Sequence, residues 1–284
     1  MKTLVDKLKT CTICPRKCGV NRLANELGHC KTGRQAIVCS FHPHFGEEPE
    51  LVGSHGSGTI FFSYCSLLCN FCQNFEISHL GESREVSDGE LASMMLELQH
   101  MGCHNINLVT PTHVVPQIMA ALQIARDKGL RLPLVYNCSG YDRVSTLKLL
   151  DGLVDIYMPD FKFWSADIAA KTCNAPDYPE VARKAIAEMY RQVGTLQTNS
   201  AGVARRGLLI RHLVLPEDLA GTREIARFIA EELSPDTYVN IMPQYRPCGL
   251  AHQTEGLDRR LTPHEYLAAI KIARDQGLTR INRL

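Results

Sequence analysis

Tyr64-Cys-Ser-Leu-Leu-Cys-Asn-Phe-Cys-Gln-Asn74 sets Cys65, Cys69 and Cys72 in the spacing C-x3-C-x2-C. It directly follows Thr59-Ile-Phe-Phe-Ser63, a short apolar run that reads as a strand. Three thiolates on one short loop can hold three irons of a cubane, whereas a closed [4Fe–4S] site takes four cysteines. No fourth cysteine stands close by in the sequence, so the fourth iron would be open to a small molecule. Structural zinc fits less well, because it takes four ligands, usually as two separated pairs. The competing reading is three cysteines buried as small apolar residues. It requires chance to gather an infrequent residue type in one short run.

With an aromatic, Phe71, just before its last cysteine, the block resembles the signature of the radical S-adenosylmethionine (radical SAM) enzymes. The longer stretch from Gly56 through Cys72-Gln-Asn74 to Ile77-Ser78 is similar to one branch of them. That branch is related to pyruvate formate-lyase activating enzyme and contains the PflX-like proteins, and the similarity extends over nearly the whole chain. The resemblance implies a [4Fe–4S] cluster on Cys65, Cys69 and Cys72, with the amino and carboxylate groups of SAM on the open iron. It implies reductive cleavage of SAM to methionine and a 5′-deoxyadenosyl radical, with an electron donor such as flavodoxin or ferredoxin. A glycyl radical enzyme would be one possible protein substrate. The fold implied is a partial (β/α)6 barrel.

Composition bounds the rest. The 284 residues suffice for one α/β domain with a small appendage. Net charge is +1, with acidic and basic residues interspersed, which gives no electrostatic footprint for nucleic acid. Twelve cysteines without a basic-then-apolar leader point to a reducing cytoplasm rather than a disulfide scaffold. No apolar run approaches the roughly 18 residues needed to span a bilayer.

Residues 1–50 differ in texture from 51–284 and read as a cysteine-rich metal-binding module ahead of the core domain. Cys11, Cys14, Cys18 and Cys30 follow C-x2-C-x3-C-x11-C among Pro15, Gly19, Gly28 and Gly33. Four thiolates suit a tetrahedral zinc or single iron, and such a staple stabilises a loop-rich segment. The x3 spacing departs from paired zinc ribbons, so an auxiliary [4Fe–4S] cluster remains an alternative. Cys39 is a possible substitute ligand. Cys103, Cys138, Cys173 and Cys248 are scattered and read as core or pocket wall. His42-Pro-His-Phe-Gly-Glu-Glu-Pro49 reads as an irregular surface link.

Beyond residue 58, strand-like and helix-like segments alternate, as in βα units around a parallel sheet. Strands are expected at Thr59–Ser63, Ile106–Val109, Leu132–Tyr136, Asp155–Met158, Leu208–Leu215 and Tyr238–Met242. Capping boxes Ser87-x-x-Glu90 and Thr262-Pro-His-Glu265 open two of the helices.

Ligand sites of parallel α/β folds collect at the carboxyl ends of the strands. That rule selects the cysteine loop, Thr110-Pro-Thr-His113, Asn137-Cys-Ser-Gly140, Pro159-Asp-Phe-Lys162, Arg211 and Pro243-Gln-Tyr-Arg246. Met158, Asp160 and Lys162 alternate onto one face of a strand. Met158-Pro-Asp-Phe-Lys162 resembles the M-x-D-x-K motif of the activating enzymes, which implies a cation-binding Asp160 and a SAM-contacting Lys162. Thr110 and Thr112 stand where many relatives have Gly-Gly-Glu, and Asn137 and Ser139 where they show Asp-Thr-Asn-Gly. Arg211 could match the SAM carboxylate as a bidentate fork. Asn74 could donate to cluster sulfur or SAM. The resulting expectation is a radical SAM enzyme. The alternative is an iron–sulfur electron-transfer or cluster-carrier protein without SAM chemistry.

Overall fold

The computed structural model describes residues 4–81 and 83–281. In chain order its elements are β1 (Ala36–His44), α1 (Pro49–Val52), β2 (Ser57–Phe62), β3 (Arg84–Val86), α2 (Asp88–His100), β4 (Ile106–Val109), α3 (Val115–Asp127), β5 (Leu134–Cys138), α4 (Val144–Leu147), β6 (Ile156–Pro159), α5 (Ala166–Cys173), α6 (Tyr178–Val193), β7 (Gln197–Thr198), β8 (Ala204–Leu213), α7 (Thr222–Phe228), β9 (Tyr238–Met242) and α8 (Pro263–Asp275).

Strands β2, β4, β5, β6, β8 and β9 are parallel, each paired with the next. Among the described residues β9 and β2 do not pair, so six βα units form an open, partial barrel. The α/β class expected from the alternation and the partial barrel implied by the resemblance are those observed. Both capping boxes are present: Ser87 accepts from Glu90 N–H at the start of α2, and Thr262 from Glu265 N–H at the start of α8. Each cap is worth about 1 kcal/mol.

The N-terminal region differs from its reading. Ala36–His44 is a strand, antiparallel to β2 and flanked by β3, although His42-Pro-His44 read as an irregular link. Pro43 is tolerated because β3 pairs only with Ala36–Val38, so the Pro43 end of β1 has β2 on one side and a free edge on the other. The sheet therefore begins well before residue 50. Residues ahead of it are also tied in, since Leu8, Cys11 and Ile13 belong to the main apolar core. The helix α5 was not foreseen: it occupies the interval between the fourth strand and α6.

Two apolar clusters follow from strand alternation. One face of the sheet meets the helices in a large core that includes Ile106, Leu108, Leu122 and Ile186. The inner face carries a smaller cluster built from Leu51, Val135, Ile156, Met158, Leu196, Ala204 and Leu209. Each fully buried aliphatic side chain of this kind contributes about 1.5–3 kcal/mol. Above that floor the same strands turn polar, at Asn137, Asp160 and Arg211. No described helix is long and apolar enough to cross a membrane.

Candidate functional site

A cavity of about 250 Å3 opens at the carboxyl ends of the parallel strands. Cys65, Cys69 and Cys72 line it on the loop after β2, facing Asp160, Lys162 and Arg211. Thr110, Asn137, Ser139 and Asn74 complete the polar wall. Residues from five strand ends thus converge, because parallel βα units deliver every such loop to one side of the sheet.

The cysteine loop and the turn after β4 are held in an unusual backbone. Tyr64, Leu68 and Thr110 all adopt positive φ, at 63°, 56° and 62°. Non-glycine residues held so cost on the order of 1–3 kcal/mol each, a strain found at ligand sites. Donors point at the sulfurs. Leu67 N–H lies 3.3 Å from Cys65 Sγ. The Leu68 N–H also serves Cys65, while the Asn74 N–H and the Ser78 hydroxyl serve Cys72. Burial pushes the Cys65 thiol up to about 12. The same cause, aided by the Cys69 sulfur, raises Cys72.

Cys173 was read as scattered core, yet its thiol hydrogen-bonds Cys69, and that contact with burial holds Cys69 well above the ordinary thiol range. Cys173 is buried and does not line the cavity, so it backs the loop. Cys138 does line the cavity, as pocket wall.

Asp160 is the hub of the opposite wall. Its Oδ2 accepts from Lys162 Nζ at 2.6 Å and its Oδ1 from Arg211 Nε at 2.8 Å. Burial opposes the carboxylate, but Arg211 and Lys162 outweigh it and keep its pKa below the usual range. Burial likewise opposes the Lys162 ammonium, and Asp160 with the Cys69 sulfur reverses the sign, raising it. The pair faces inward and is largely shielded, with side chains 16–17% exposed, rather than forming a solvated strand end.

Two expectations change. Arg211 lines the cavity, but its fork is already engaged. Nε serves Asp160, Nη2 donates to Asn137 Oδ1 at 2.8 Å, and Nη1 lies 3.5 Å from Glu47 Oε2. It therefore cross-braces β5, β6 and β8 and has little fork left for a ligand carboxylate. Thr112 is buried outside the cavity, where its hydroxyl bonds Tyr136 and Asp142.

Tyr178 is a positioning residue that sequence reading missed. Its hydroxyl accepts from Lys162 N–H at 2.9 Å and faces the Ser139 and Asp160 carbonyls at 2.9 and 3.0 Å, tying two site loops together. No local pattern marks it. Gln73 Nε2 donates to the Gln244 carbonyl at 3.2 Å, bridging the loops after β2 and β9 at the open side of the barrel. Tyr245 turns away to the Leu257 carbonyl and packs on Phe71.

The fold is that of the radical SAM enzymes. The chain aligns with a radical SAM methyltransferase from Sphaerobacter thermophilus at TM-score 0.54 and 17% identity, over 79% of this chain and 65% of that one. It aligns with methylornithine synthase (PylB) at TM-score 0.52 and 16% identity, over 78% of this chain and 63% of the other. The chain thus spans slightly less than two thirds of both solved structures. No model of a known protein family matches it. The chain belongs to the family of the uncharacterized protein MJ0674 of Methanocaldococcus jannaschii, to which it is 30% identical over 279 residues, covering 95% of this chain and 76% of that protein.

Proposed function

We propose that this protein is a radical SAM enzyme. The observation that carries the reading is one cavity with three thiols on one wall and a half-buried Asp160–Lys162 pair on the other. The residues present fit a cubane with one open iron, since three cysteines of one strained loop face the cavity and two of them receive N–H donors. When bound and reduced, the [4Fe–4S] cluster supplies the electron that cleaves SAM into methionine and a 5′-deoxyadenosyl radical, the species that abstracts hydrogen from substrate.

The chain's own residues supply position and exclusion. Cys65, Cys69 and Cys72 would hold three irons. Lys162 keeps N–H groups beyond its bond to Asp160, so it is the cation best placed to meet an anionic ligand group. The Ser139 and Thr110 hydroxyls and the Asn74 amide add neutral hydrogen-bonding capacity around the cavity. Phe61, Phe71, Ile77 and Leu213 add apolar wall to the same cavity.

The finer reading, activation of a glycyl radical enzyme by abstraction from a glycine Cα, rests on the resemblance of the cysteine block and of Met158-Pro-Asp-Phe-Lys162 to activating enzymes. Both readings are tested in one assay. Anaerobically reconstituted protein with dithionite and SAM should form 5′-deoxyadenosine and methionine. An intact cluster that forms neither favours an electron carrier instead. Deuterium passing from a labelled glycine of a candidate partner into deoxyadenosine would establish the activase; its absence with every glycyl radical partner supplied would remove that subtype.

A further inference from the structure

The four N-terminal cysteines take no part in the site above, yet they meet at one place. Cys11, Cys14, Cys18 and Cys30 all line one cavity of about 10 Å3, with Arg22 and His113 on its wall. That is room for roughly one water-sized body, too little for a cubane. Every sulfur faces an N–H donor. The Arg16 backbone serves Cys14 and the Thr32 backbone Cys30. The His29 N–H lies 3.4 Å from Cys18 Sγ, and Arg22 Nη1 lies 3.8 Å from Cys11 Sγ. Such donors suit sulfur ligands to a metal, while burial, the larger effect, holds the metal-free Cys14 and Cys30 thiols above their ordinary range.

Charge gives an independent argument. Arg22 is 1% exposed. Its bonds run to the Gly33 and His113 carbonyls and to Cys11, with no carboxylate among its partners in the described residues. Its Nη2 has no partner, and neither does Nδ1 of His113, which is also 1% exposed. A buried cation is costly without an anion beside it. Residues 4–34 carry seven basic side chains against two acidic ones, so the missing negative charge is not in the local sequence.

We propose that Cys11, Cys14, Cys18 and Cys30 bind one thiophilic divalent ion, zinc in the first instance, with Arg22 as its counter-charge, and that this ion braces the Cys65–Cys72 loop. Binding exchanges four thiol protons, released to solvent, for one dication and leaves a complex of charge 2−. Among the described residues no group of three or more His, Cys, Asp or Glu side chains already stands as a metal site. The ion therefore draws the thiols inward, and exposed Cys18 has the most freedom to follow. Gly28 leaves space for that thiol, since a Cβ there would lie 2.9 Å from Cys18 Sγ.

The bracing runs through two arms. Arg16, two residues beyond Cys14, donates to the Ser66 and Leu67 carbonyls at 2.9 and 3.1 Å, and to Cys173 O at 2.7 Å. Arg22 donates to the His113 carbonyl at 2.7 Å, and His113 Nε2 lies 3.0 Å from Ser63 O. Both arms land beside Cys65, one on each flank.

The test uses the whole chain with Cys65, Cys69 and Cys72 all changed to Ser, so that the cluster loop cannot load. Zinc should bind at one equivalent, and the further changes Cys11→Ser and Cys14→Ser should abolish it. Arg22→Met should weaken zinc roughly tenfold or more. In chain retaining Cys65, Cys69 and Cys72, removing zinc should speed amide exchange at 65–69 by about tenfold or more. A triple variant that keeps its circular dichroism yet binds no zinc, or that retains four irons with sulfide, overturns the site. Exchange indifferent to zinc overturns the bracing. Neither result bears on SAM cleavage, which depends on the other cysteines.

Discussion

Arg211 reaches Asp160 across neighbouring parallel strands, Nε to Oδ1 at 2.8 Å, from 51 residues further along the chain. The contact makes one carboxylate answer for two cations, because Lys162 holds its other oxygen. Removing that carboxylate leaves Lys162 without its anion and Arg211 with only the longer contact to Glu47. Asp160→Asn should cost about 3–5 kcal/mol in urea unfolding at pH 7, the range for breaking a buried charge pair. An unchanged midpoint would refute the hub.

The same pair has a pH signature. The Asp160 pKa is depressed on folding, so its stabilisation is present above the unfolded carboxyl value and is lost as pH falls through the folded one. The stability gap between wild type and Asp160→Asn should therefore be full near neutrality. It should begin to close only below about pH 3.9. A gap constant down to pH 2 would contradict the assignment.

Lys162 and Arg211 should separate in their effects. Lys162→Met should weaken SAM binding by roughly tenfold, as loss of a charge-assisted contact does, while iron and sulfide content stay near wild type. Arg211→Met should instead lower the unfolding midpoint, because it takes the donor from the Asn137 oxygen and leaves Asp160 with Lys162 alone. Equilibrium dialysis and thermal melts distinguish the two; the reverse pattern would reassign the ligand contact to Arg211.

Cys173 tests the count of cluster ligands. Changing Cys65, Cys69 or Cys72 to Ser should each reduce iron and sulfide severely. Cys173→Ser should leave a four-iron cluster that still responds to SAM, because Cys173 stands behind Cys69, off the cavity wall. Loss of the SAM response in wild-type protein, regained in Cys173→Ser, would mean that Cys173 closes the fourth position.

Gly140 gives a purely steric test. It has φ +74°, and a Cβ there would meet the Asp160 carbonyl at 2.6 Å, an atom fixed in backbone. Gly140→Ala should cost on the order of 3 kcal/mol and separate Ser139 from Asp160. Stability equal to wild type would show that the two loops are not in contact.

What could be read directly along the chain was short in range. Three thiols of one loop need only their spacing to share a site, and the Ser87 and Thr262 caps bond partners three residues away. Strand alternation put Met158, Asp160 and Lys162 on one face without any knowledge of neighbours, and the rule for strand ends collected the rest of the wall. The strand at Ala36–His44 escaped that reading, because Pro43 and the nearby glycine obscure a pattern that only pairing with β2 stabilises.

Other relationships had no signature in the residues themselves. Whether Arg211 faced a ligand or a carboxylate depended on the register of β8 against β6, and Cys173 reached Cys69 only because α5 folds back under the loop. Thr112 was deflected to Asp142 by the same three-dimensional arrangement, and Arg16 found Ser66 fifty residues away. Short-range chemistry is written in spacing, since a loop or a helical turn closes on itself. Which charge neutralises which is settled by packing, because a buried ion takes whatever opposite partner the assembled sheet brings within reach.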